Sequence, residues 1–304
     1  LCDIVIHNGR VMDPESGFDQ VINLGIVEGT VQILSKDPIR GRDELDASGQ
    51  IISPGFIDLH SHGQDPENYR IQALDGVTTA LELEIGSLDI ERSYSNREHR
   101  ALINFGSSAG HIPARMKVMN DSGSFLPVGD AAHRKATDRE INEMIRIIEK
   151  GLSDGGLAVG LGLQYTPAAS RTEVIEVFRL ASRYNAVCHV HIRGMGPVEN
   201  IGGVEALQEV IASALVSGAP LHVVHISSSG LSVTEQLLEL VGQAREKGLD
   251  ITTECYPYTA GMSGIQSAIF DEGWQERIGI GYDSLTWPET GETLTATSFA
   301  KYRK

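Results

Sequence analysis

The sequence PGFIDLHSHG, residues 54–63, places His60 and His62 two positions apart behind a short apolar run. On a β-strand, side chains at positions i and i+2 point to the same face, so both imidazoles and Asp58 would project together. Such a pair is suited to binding a metal ion. The same pattern also fits two surface histidines in a loop after a buried strand, so the rest of the chain has to separate these interpretations.

The first apolar run is followed by six others, and amphipathic segments separate them. The seven runs are GFIDLH, GVTTALELE, ALINFGSSAG, GLAVGLGLQY, AVCHVHIRG, PLHVVHISSSG and LDITTECYPY. Capping boxes at residues 137–140, 170–173 and 232–235 predict the starts of intervening helices. This alternation predicts a parallel α/β fold. Because most strands end in polar residues and no G-x-G-x-x-G follows the first one, we expect a (β/α)8 TIM-type barrel rather than an open sheet.

Residues 1–53 have a different pattern, in which apolar and polar residues alternate as in strands. Asn8-Gly9 and Glu28-Gly29 predict hairpin turns, so we expect a small antiparallel β domain ahead of a barrel at 54–304. The last residues, TATSFAKYRK, predict a helix capped by Thr295 or Thr297. An eighth strand would then be missing, and we expect a barrel truncated at its C-terminus, with sequence lacking at both ends.

Composition limits the class of partner. The chain has 25 Lys and Arg against 41 Asp and Glu, a net charge of −16 that disfavours nucleic acids and anionic membranes. There is no apolar stretch of membrane-spanning length and no signal peptide pattern, so a small-molecule partner is expected. Three cysteines without metal-type spacing predict buried free thiols and a reducing compartment, by default the cytoplasm. The sequence leaves a homo-oligomer open.

Two carboxylates share a face of the second apolar run. Glu82 and Glu84 alternate with Leu81 and Leu83, so leucines facing the helices would direct both carboxylates into the barrel. A buried carboxylate is costly unless a cation or hydrogen bonds compensate its charge. We therefore predict Glu84, nearer the strand end, as a metal ligand and Glu82 as a hydrogen-bonding support.

Further histidines end the fifth and sixth runs. His191 and His225 are the predicted ligands, whereas His189 is expected in the core and His222 is expected to face the helices or the strand entrance. Imidazole and carboxylate ligands on four strands favour one or two Zn²⁺ ions. The predicted metal site therefore comprises His60, His62, Glu84, His191 and His225.

With these residues, the chain resembles the metal-dependent amidohydrolase superfamily and, within it, the D-aminoacylase branch. PGFIDLHSHG resembles the superfamily's first-strand signature, and GVTTALELE, GLGLQYTP, HVHIR, HVVHIS and ECYPYTAG resemble segments of the branch in the same order. The resemblance implies a β-sandwich beside the barrel and zinc-dependent hydrolysis of an amide C–N bond in N-acyl-D-amino acids or similar small amides. It also implies a general-base Asp on strand eight, which the 304 residues do not reach, so we expect little hydrolysis from them alone.

Amide hydrolysis at such a centre would need further site residues, and the sequence offers candidates. Tyr258 or His111 would donate to the oxyanion, and Tyr165 and Tyr256 would line the substrate pocket. Arg193 would either bind a substrate carboxylate or form a salt bridge at the strand ends. Two features depart from the family: no Cys ends the second strand, and GLAVGLGLQY contains no Lys. The alternatives are a cyclic amide hydrolase of the dihydroorotase or hydantoinase type and an inactive scaffold barrel.

Overall fold

A computed structural model of the protein describes residues 1–200 and 202–304. They form two compact units, residues 1–57 with 76–78 and residues 58–75 with 79–304. Over these ranges no helix is both long and apolar enough to cross a bilayer. Cys2 and Cys188 are buried free thiols as expected, but Cys255 is exposed because it follows the end of the last strand of the large sheet.

The first unit is a mixed five-stranded sheet. Its strands are β1 (Cys2–Asp13), β2 (Phe18–Val27), β3 (Thr30–Ser35), β4 (Gly41–Asp46) and β5 (Ile51–Ile52). They run in the order β3-β2-β1-β4, and β5 also pairs with β1. The first three strands are antiparallel to one another, but β4 and β5 run parallel to β1. The expectation of a purely antiparallel domain was therefore wrong.

The two predicted turns have different outcomes. Glu28 and Gly29, with φ of 51° and 74°, connect β2 to β3 as predicted. Asn8 and Gly9 instead lie inside β1, where the register to β2 shifts between Ile6 and Gly9. The backbone N–H of Asn8 donates to the side-chain oxygen of Asn23 at 3.1 Å. The bulge therefore leaves this N–H with a hydrogen-bond partner, and no turn forms here.

All seven strands predicted from the apolar runs are present in a second, larger sheet. They are β6 (Phe56–Asp58), β7 (Val77–Ser87), β8 (Asn104–Gly110), β9 (Val159–Gly162), β10 (Cys188–His191), β11 (Leu221–Val223) and β12 (Ile251–Thr253). They form one sheet in sequence order, and each pair from β7 to β12 is parallel. A short hairpin follows, made of β13 (Thr286–Trp287) and β14 (Glu292–Thr293).

Helices alternate with the strands of this sheet. Those before β10 are α1 (Pro66–Leu74), α2 (Ile90–Ser95), α3 (His111–Val118), α4 (Asp130–His133), α5 (Asp138–Ser153) and α6 (Arg171–Arg183). The later ones are α7 (Gly203–Ser217), α8 (Ile226–Gly230), α9 (Thr234–Glu246), α10 (Trp274–Ile278) and α11 (Ala296–Tyr302). Short 3₁₀ helices lie at Leu231–Val233, Ala268–Phe270 and Tyr282–Ser284. The fold is therefore mixed α/β with a parallel sheet, as predicted.

The predicted helix caps are only partly present. Thr137 and Glu140 form the complete capping box of α5, and Thr295 caps α11. Ser170 caps α6, but the side chain of Glu173 turns away to other partners. The box predicted at 232–235 was wrong, because α9 begins only at Thr234, whose hydroxyl donates to the Leu231 carbonyl.

The large sheet curls so strongly that its edge strands approach each other. His60 follows the edge strand β6, and Glu254 follows the opposite edge strand β12, yet their Nδ1 and Oε1 atoms are 2.6 Å apart. In a flat sheet, six strand spacings of about 4.8 Å would separate these edges by roughly 29 Å. The curl therefore gathers the strand ends around a common centre, as in the predicted barrel.

Gly160 allows β9 to lie against the backbone of β7. A Cβ atom at Gly160 would be 2.6 Å from the carbonyl oxygen of Leu83 and closer still to that of Glu84. Both obstacles are backbone atoms, so neither can move aside as a flexible side chain could. The absence of a side chain at Gly160 thus helps to place the segment that carries Glu84.

This packing predicts that Gly160→Ala lowers the free energy of unfolding by about 1 to 3 kcal/mol, the usual cost of overpacking. Gly242→Ala is the matched control, because Gly242 lies in α9 with no heavy atom within 4 Å of an added Cβ. There, removing a glycine from a helix should stabilise the protein by up to about 1 kcal/mol. Denaturant unfolding of both variants measures the difference, and equal stabilities would contradict the packing argument.

Candidate metal centre

A bulge in β7 presents two carboxylates to the interior of the curled sheet. Between the pairs Glu82–Ser107 and Ser87–Ala109, β7 advances five positions while β8 advances two. Glu82 and Glu84 are both buried, at 7% and 2% exposure. The Glu82 carboxylate accepts from the backbone N–H of Ile85 at 3.1 Å, so it satisfies one of the donors that the bulge frees from the ladder.

Glu84 lies at the centre of a cluster of histidines. Its Oε2 atom is 2.8 Å from Nε2 of His60 and 3.2 Å from Nε2 of His62. Its Oε1 atom is 2.7 Å from Nδ1 of His191. The carboxylate therefore contacts histidines from both sides of β7 in the strand order. His60 follows the neighbouring strand β6, and His191 ends β10, which lies three strands away on the other side.

His225 completes the set of five predicted ligands. It follows β11 rather than lying on it, and its φ of 32° lies in the left-handed region. Its ring centroid is 4.4 Å from that of His191. The potential ligand atoms divide into two groups, within each of which they lie no more than 4.8 Å apart: His60, His62 and Glu84 form the first metal group, and Glu84, His191 and His225 form the second.

The donor atoms of these groups fit a divalent metal ion. Nε2 of His60 and Nε2 of His62 are 3.2 Å apart, although neither nitrogen can bond the other when both are unprotonated. Two nitrogens bound tetrahedrally at about 2.0 to 2.1 Å would be about 3.3 Å apart, so their spacing matches shared coordination. A buried carboxylate also requires compensating positive charge. Imidazole nitrogen and carboxylate oxygen are the ligands that zinc accepts.

Outer partners hold the ring nitrogens that point away from Glu84. Nδ1 of His60 is 2.6 Å from Glu254, and Nδ1 of His62 is 2.6 Å from Glu82. Nε2 of His191 is 2.5 Å from the side-chain oxygen of Gln164. Histidine ligands of metals usually donate their second ring N–H to such acceptors, which orient the ring. The predicted supporting role of Glu82 agrees with this contact.

The histidines and glutamates of the centre shift one another's pKa values. Burial lowers the pKa of His60, but hydrogen bonds to Glu254 and Glu84 outweigh it and raise this pKa to about 10. Burial likewise lowers the pKa of His62, yet Glu82 and Glu84 raise it to about 9. Burial would raise the pKa of Glu84, but the surrounding imidazoles hold it well below its usual value. The centre thus favours an ionised Glu84 surrounded by positive charge.

Two other histidines lie beneath the cluster. His189 is buried as predicted, and burial lowers its pKa to about 3. His222 does not face the helices, but it lies one residue after the start of β11, in agreement with the alternative near the strand entrance. Its ring centroid is 4.6 Å from that of His189, and its Nδ1 is 2.8 Å from Oγ1 of Thr252. The pairing of β11 with β12 brings Thr252 opposite His222 and provides this contact.

Arg193 and His111 have structural partners. Arg193 makes a two-pronged contact with Glu209 of α7 at 2.8 and 2.9 Å, which is a salt bridge as in the second of the two expected alternatives. His111 is fully buried, and its Nε2 is 2.8 Å from Glu173, which also pairs with Arg115 at 2.6 Å. This cluster joins α3 to α6, which corrects the prediction that His111 donates to an oxyanion.

The three predicted tyrosines lie in different environments. Tyr165 is 8% exposed, and its ring centroid is 4.9 Å from that of His191. Burial, aided by the charge of Glu84, raises the pKa of Tyr165, so its hydroxyl stays protonated. Tyr256 and Tyr258 follow β12, are 39% and 70% exposed, and contact each other with ring centroids 5.0 Å apart. Both residues are therefore accessible to a ligand.

A cavity of about 400 Å³ adjoins the second metal group through Gln164. Its wall combines the Arg193–Glu209 pair with apolar side chains such as Met195 and Ile278. The cavity can therefore receive a ligand that has both apolar and hydrogen-bonding parts.

Sequence reasoning missed two residues of the centre, Glu254 and Gln164. The polar end of the run LDITTECYPY placed Glu254 at a strand end and could have identified it as a partner for a histidine. Gln164 follows β9 in a segment without any charged residue, so the sequence carried no comparable signal for it. The contact of Glu254 with His60 depends on the curl of the sheet, whereas Gln164 reaches His191 from the neighbouring strand.

Comparison with known proteins agrees with this geometry. The family model described as "Amidohydrolase family" matches residues 51–229, more than half of the chain. A D-aminoacylase from Alcaligenes xylosoxydans xylosoxydans is 26% identical over 94% of this chain and 62% of its own length. An allantoinase from Rubrobacter xylanophilus is also 26% identical, over 84% of this chain and 58% of its own length. The chain thus spans about three fifths of these relatives.

Solved structures share the fold. N-acyl-D-glutamate deacylase from Bordetella bronchiseptica, crystallised with zinc and a phosphonate inhibitor, has a TM-score of 0.71 at 21% identity, over 84% of this chain and 59% of that one. A D-aminoacylase has a TM-score of 0.73 at 22% identity, over 86% and 60%. The resemblance predicted from the sequence is therefore confirmed, and the chain belongs to the amidohydrolase family.

Proposed function

We propose that the protein containing these residues is a zinc-dependent hydrolase that cleaves the amide C–N bond of N-acyl-D-amino acids or similar small amides. The observation that supports this most directly is the Glu84 carboxylate, which lies within hydrogen-bonding distance of His60 and His191. A D-aminoacylase among the relatives supports the choice of substrate class. Because the chain spans about three fifths of such relatives, the activity is assigned to the whole protein.

The proposed centre holds one or two ions. His60, His62 and Glu84 would hold one, and His191 and His225 would hold the second together with Glu84. When bound, zinc would lower the pKa of a coordinated water and polarise the amide carbonyl. The protein's own contribution is to fix the imidazoles through Glu254, Glu82 and Gln164, so that little reorganisation is needed when substrate binds.

Tyrosines near the end of β12 are the proposed substrate contacts. Tyr258 is the candidate donor to the developing oxyanion, since the residue is exposed and a phenol can donate a hydrogen bond. Tyr256 lies against Tyr258, and the ring of Tyr165 contacts that of His191. The cavity beside Gln164 would receive the acyl group or the amino-acid side chain.

Cyclic amides are the second candidate substrates. An allantoinase and a dihydroorotase match this chain at 26% and 24% identity, close to the value for the D-aminoacylase. Against this alternative, β9 and the turn after it contain no Lys, which the resemblance leads us to expect in many members of the superfamily. We therefore favour open-chain amides.

The geometry predicts different effects of the two buried glutamates on metal binding. Glu84→Ala should remove most of the bound zinc, because Glu84 contributes to both metal groups. Glu82→Ala should remove less, because among the predicted ligands Glu82 contacts only His62, and only at its outer nitrogen. Mass spectrometry of dialysed protein measures metal per chain. Wild-type zinc content in the Glu84 variant would contradict its assignment as a ligand.

A substrate panel tests the proposed activity. The intact, zinc-loaded protein should hydrolyse N-acyl-D-amino acids at least tenfold faster than their L-enantiomers or cyclic amides, as judged by kcat/KM. A chelator should abolish hydrolysis, and added zinc should restore it. Preference for ring substrates would favour the cyclic amide alternative, whereas bound zinc without turnover of any amide would contradict the proposed reaction.

A further inference from the structure

The backbone fixes Gln164 beside His191. In the parallel pairing of β9 with β10, Gly162 is the partner of His191. The N–H of Leu163 then donates to the carbonyl oxygen of His191 at 2.9 Å, and the N–H of Tyr165 donates to that of Gly162 at 3.2 Å. These bonds set the turn that follows β9, so the side chain of Gln164 extends over the imidazole.

The contacts of Gln164 also orient its amide. Its Oε1 atom is 2.5 Å from Nε2 of His191, and its Nε2 atom is 3.5 Å from the sulfur of Met195. A thioether sulfur can accept but cannot donate a hydrogen bond, so the amide NH₂ belongs on the Met195 side. The oxygen is then the atom that faces His191, and it accepts a hydrogen bond from the Nε2–H group of the ring.

We propose that Gln164 is a positioning residue that keeps the proton of His191 on Nε2 and leaves Nδ1 available to a metal ion beside Glu84. This inference rests on the proposed metal centre. A neutral imidazole carries one N–H, so an acceptor at Nε2 determines which nitrogen has a free lone pair. Nδ1 is the nitrogen 2.7 Å from Glu84, which is the side where the second metal group converges.

Gln164 differs from the other outer partners in charge. His60 and His62 contact the carboxylates of Glu254 and Glu82, whereas His191 contacts a neutral amide. The positioning effect requires an acceptor but not a negative charge. A glutamate at 164 should therefore replace the glutamine in this role, and a leucine of similar size should not.

Zinc affinity can be measured in two backgrounds that separate the metal groups. His62→Ala disables the first metal group, so the remaining strong binding reports on Glu84, His191 and His225. His191→Ala disables the second metal group instead. Gln164→Leu and Gln164→Glu are added to each background, and zinc Kd is determined by competition with a chromophoric chelator. Gln243→Leu, at an exposed position on α9, is the matched control, and far-UV circular dichroism checks folding.

The proposal expects a specific pattern of affinities. In the His62→Ala background, Gln164→Leu should weaken zinc binding 10- to 100-fold, the usual effect of removing an outer partner. In the same background, Gln164→Glu should have a zinc Kd within threefold of that of the His62→Ala variant alone. In the His191→Ala background, Gln164→Leu should change the affinity less than threefold, as should Gln243→Leu in both backgrounds.

Other results would overturn the proposal. Unchanged affinity after Gln164→Leu in the His62→Ala background would show that His191 does not need this acceptor. Equal losses in both backgrounds, or failure of glutamate to restore binding, would show a general structural role. If the protein with all ligands intact bound no zinc, the proposed metal centre itself would be wrong, a result distinct from a selective failure of Gln164.

Discussion

The buried charge of Glu84 is the constraint on which the rest of the centre depends. This carboxylate is 2% exposed, and moving such a group out of water costs several kcal/mol even after the protein relaxes, about the scale known for buried ions. Contacts with His60, His62 and His191 compensate that cost. Since these residues lie far apart in the chain, the carboxylate can be accommodated only where the sheet brings their strands together.

The curl of the sheet and the arrangement of the centre support each other. Glu254 reaches His60 from the opposite edge of the sheet, so one hydrogen bond both joins the edge strands and orients a predicted ligand. Within β7, the bulge that exposes Glu84 to the interior is stabilised by Glu82, which also contacts His62. Glu254 and Glu82 therefore each stabilise the fold and orient a predicted metal ligand. Substitutions of either glutamate should affect both folding and metal binding.

The sequence was most informative where chemistry follows from local pattern. Apolar runs located all seven strands of the large sheet, and alternation along β7 identified Glu82 and Glu84 as inward-facing. It failed where a contact joins distant segments: Glu254 lies 194 positions from His60, and only the curled sheet brings them together. Local irregularities were also missed, among them the bulge at Asn8 and the departure of His225 from its strand, because backbone shape there depends on neighbouring strands.

We infer that a divalent metal ion binds beside Glu84 between two pairs of histidines. The most direct test is anomalous X-ray diffraction at the zinc absorption edge from crystals of the zinc-loaded protein. We expect one or two anomalous peaks within coordination distance of the Glu84 carboxylate, with imidazole nitrogens of His60 and His62, or of His191 and His225, completing the ligands. Zinc located only elsewhere, or no peak beside Glu84, would contradict this inference.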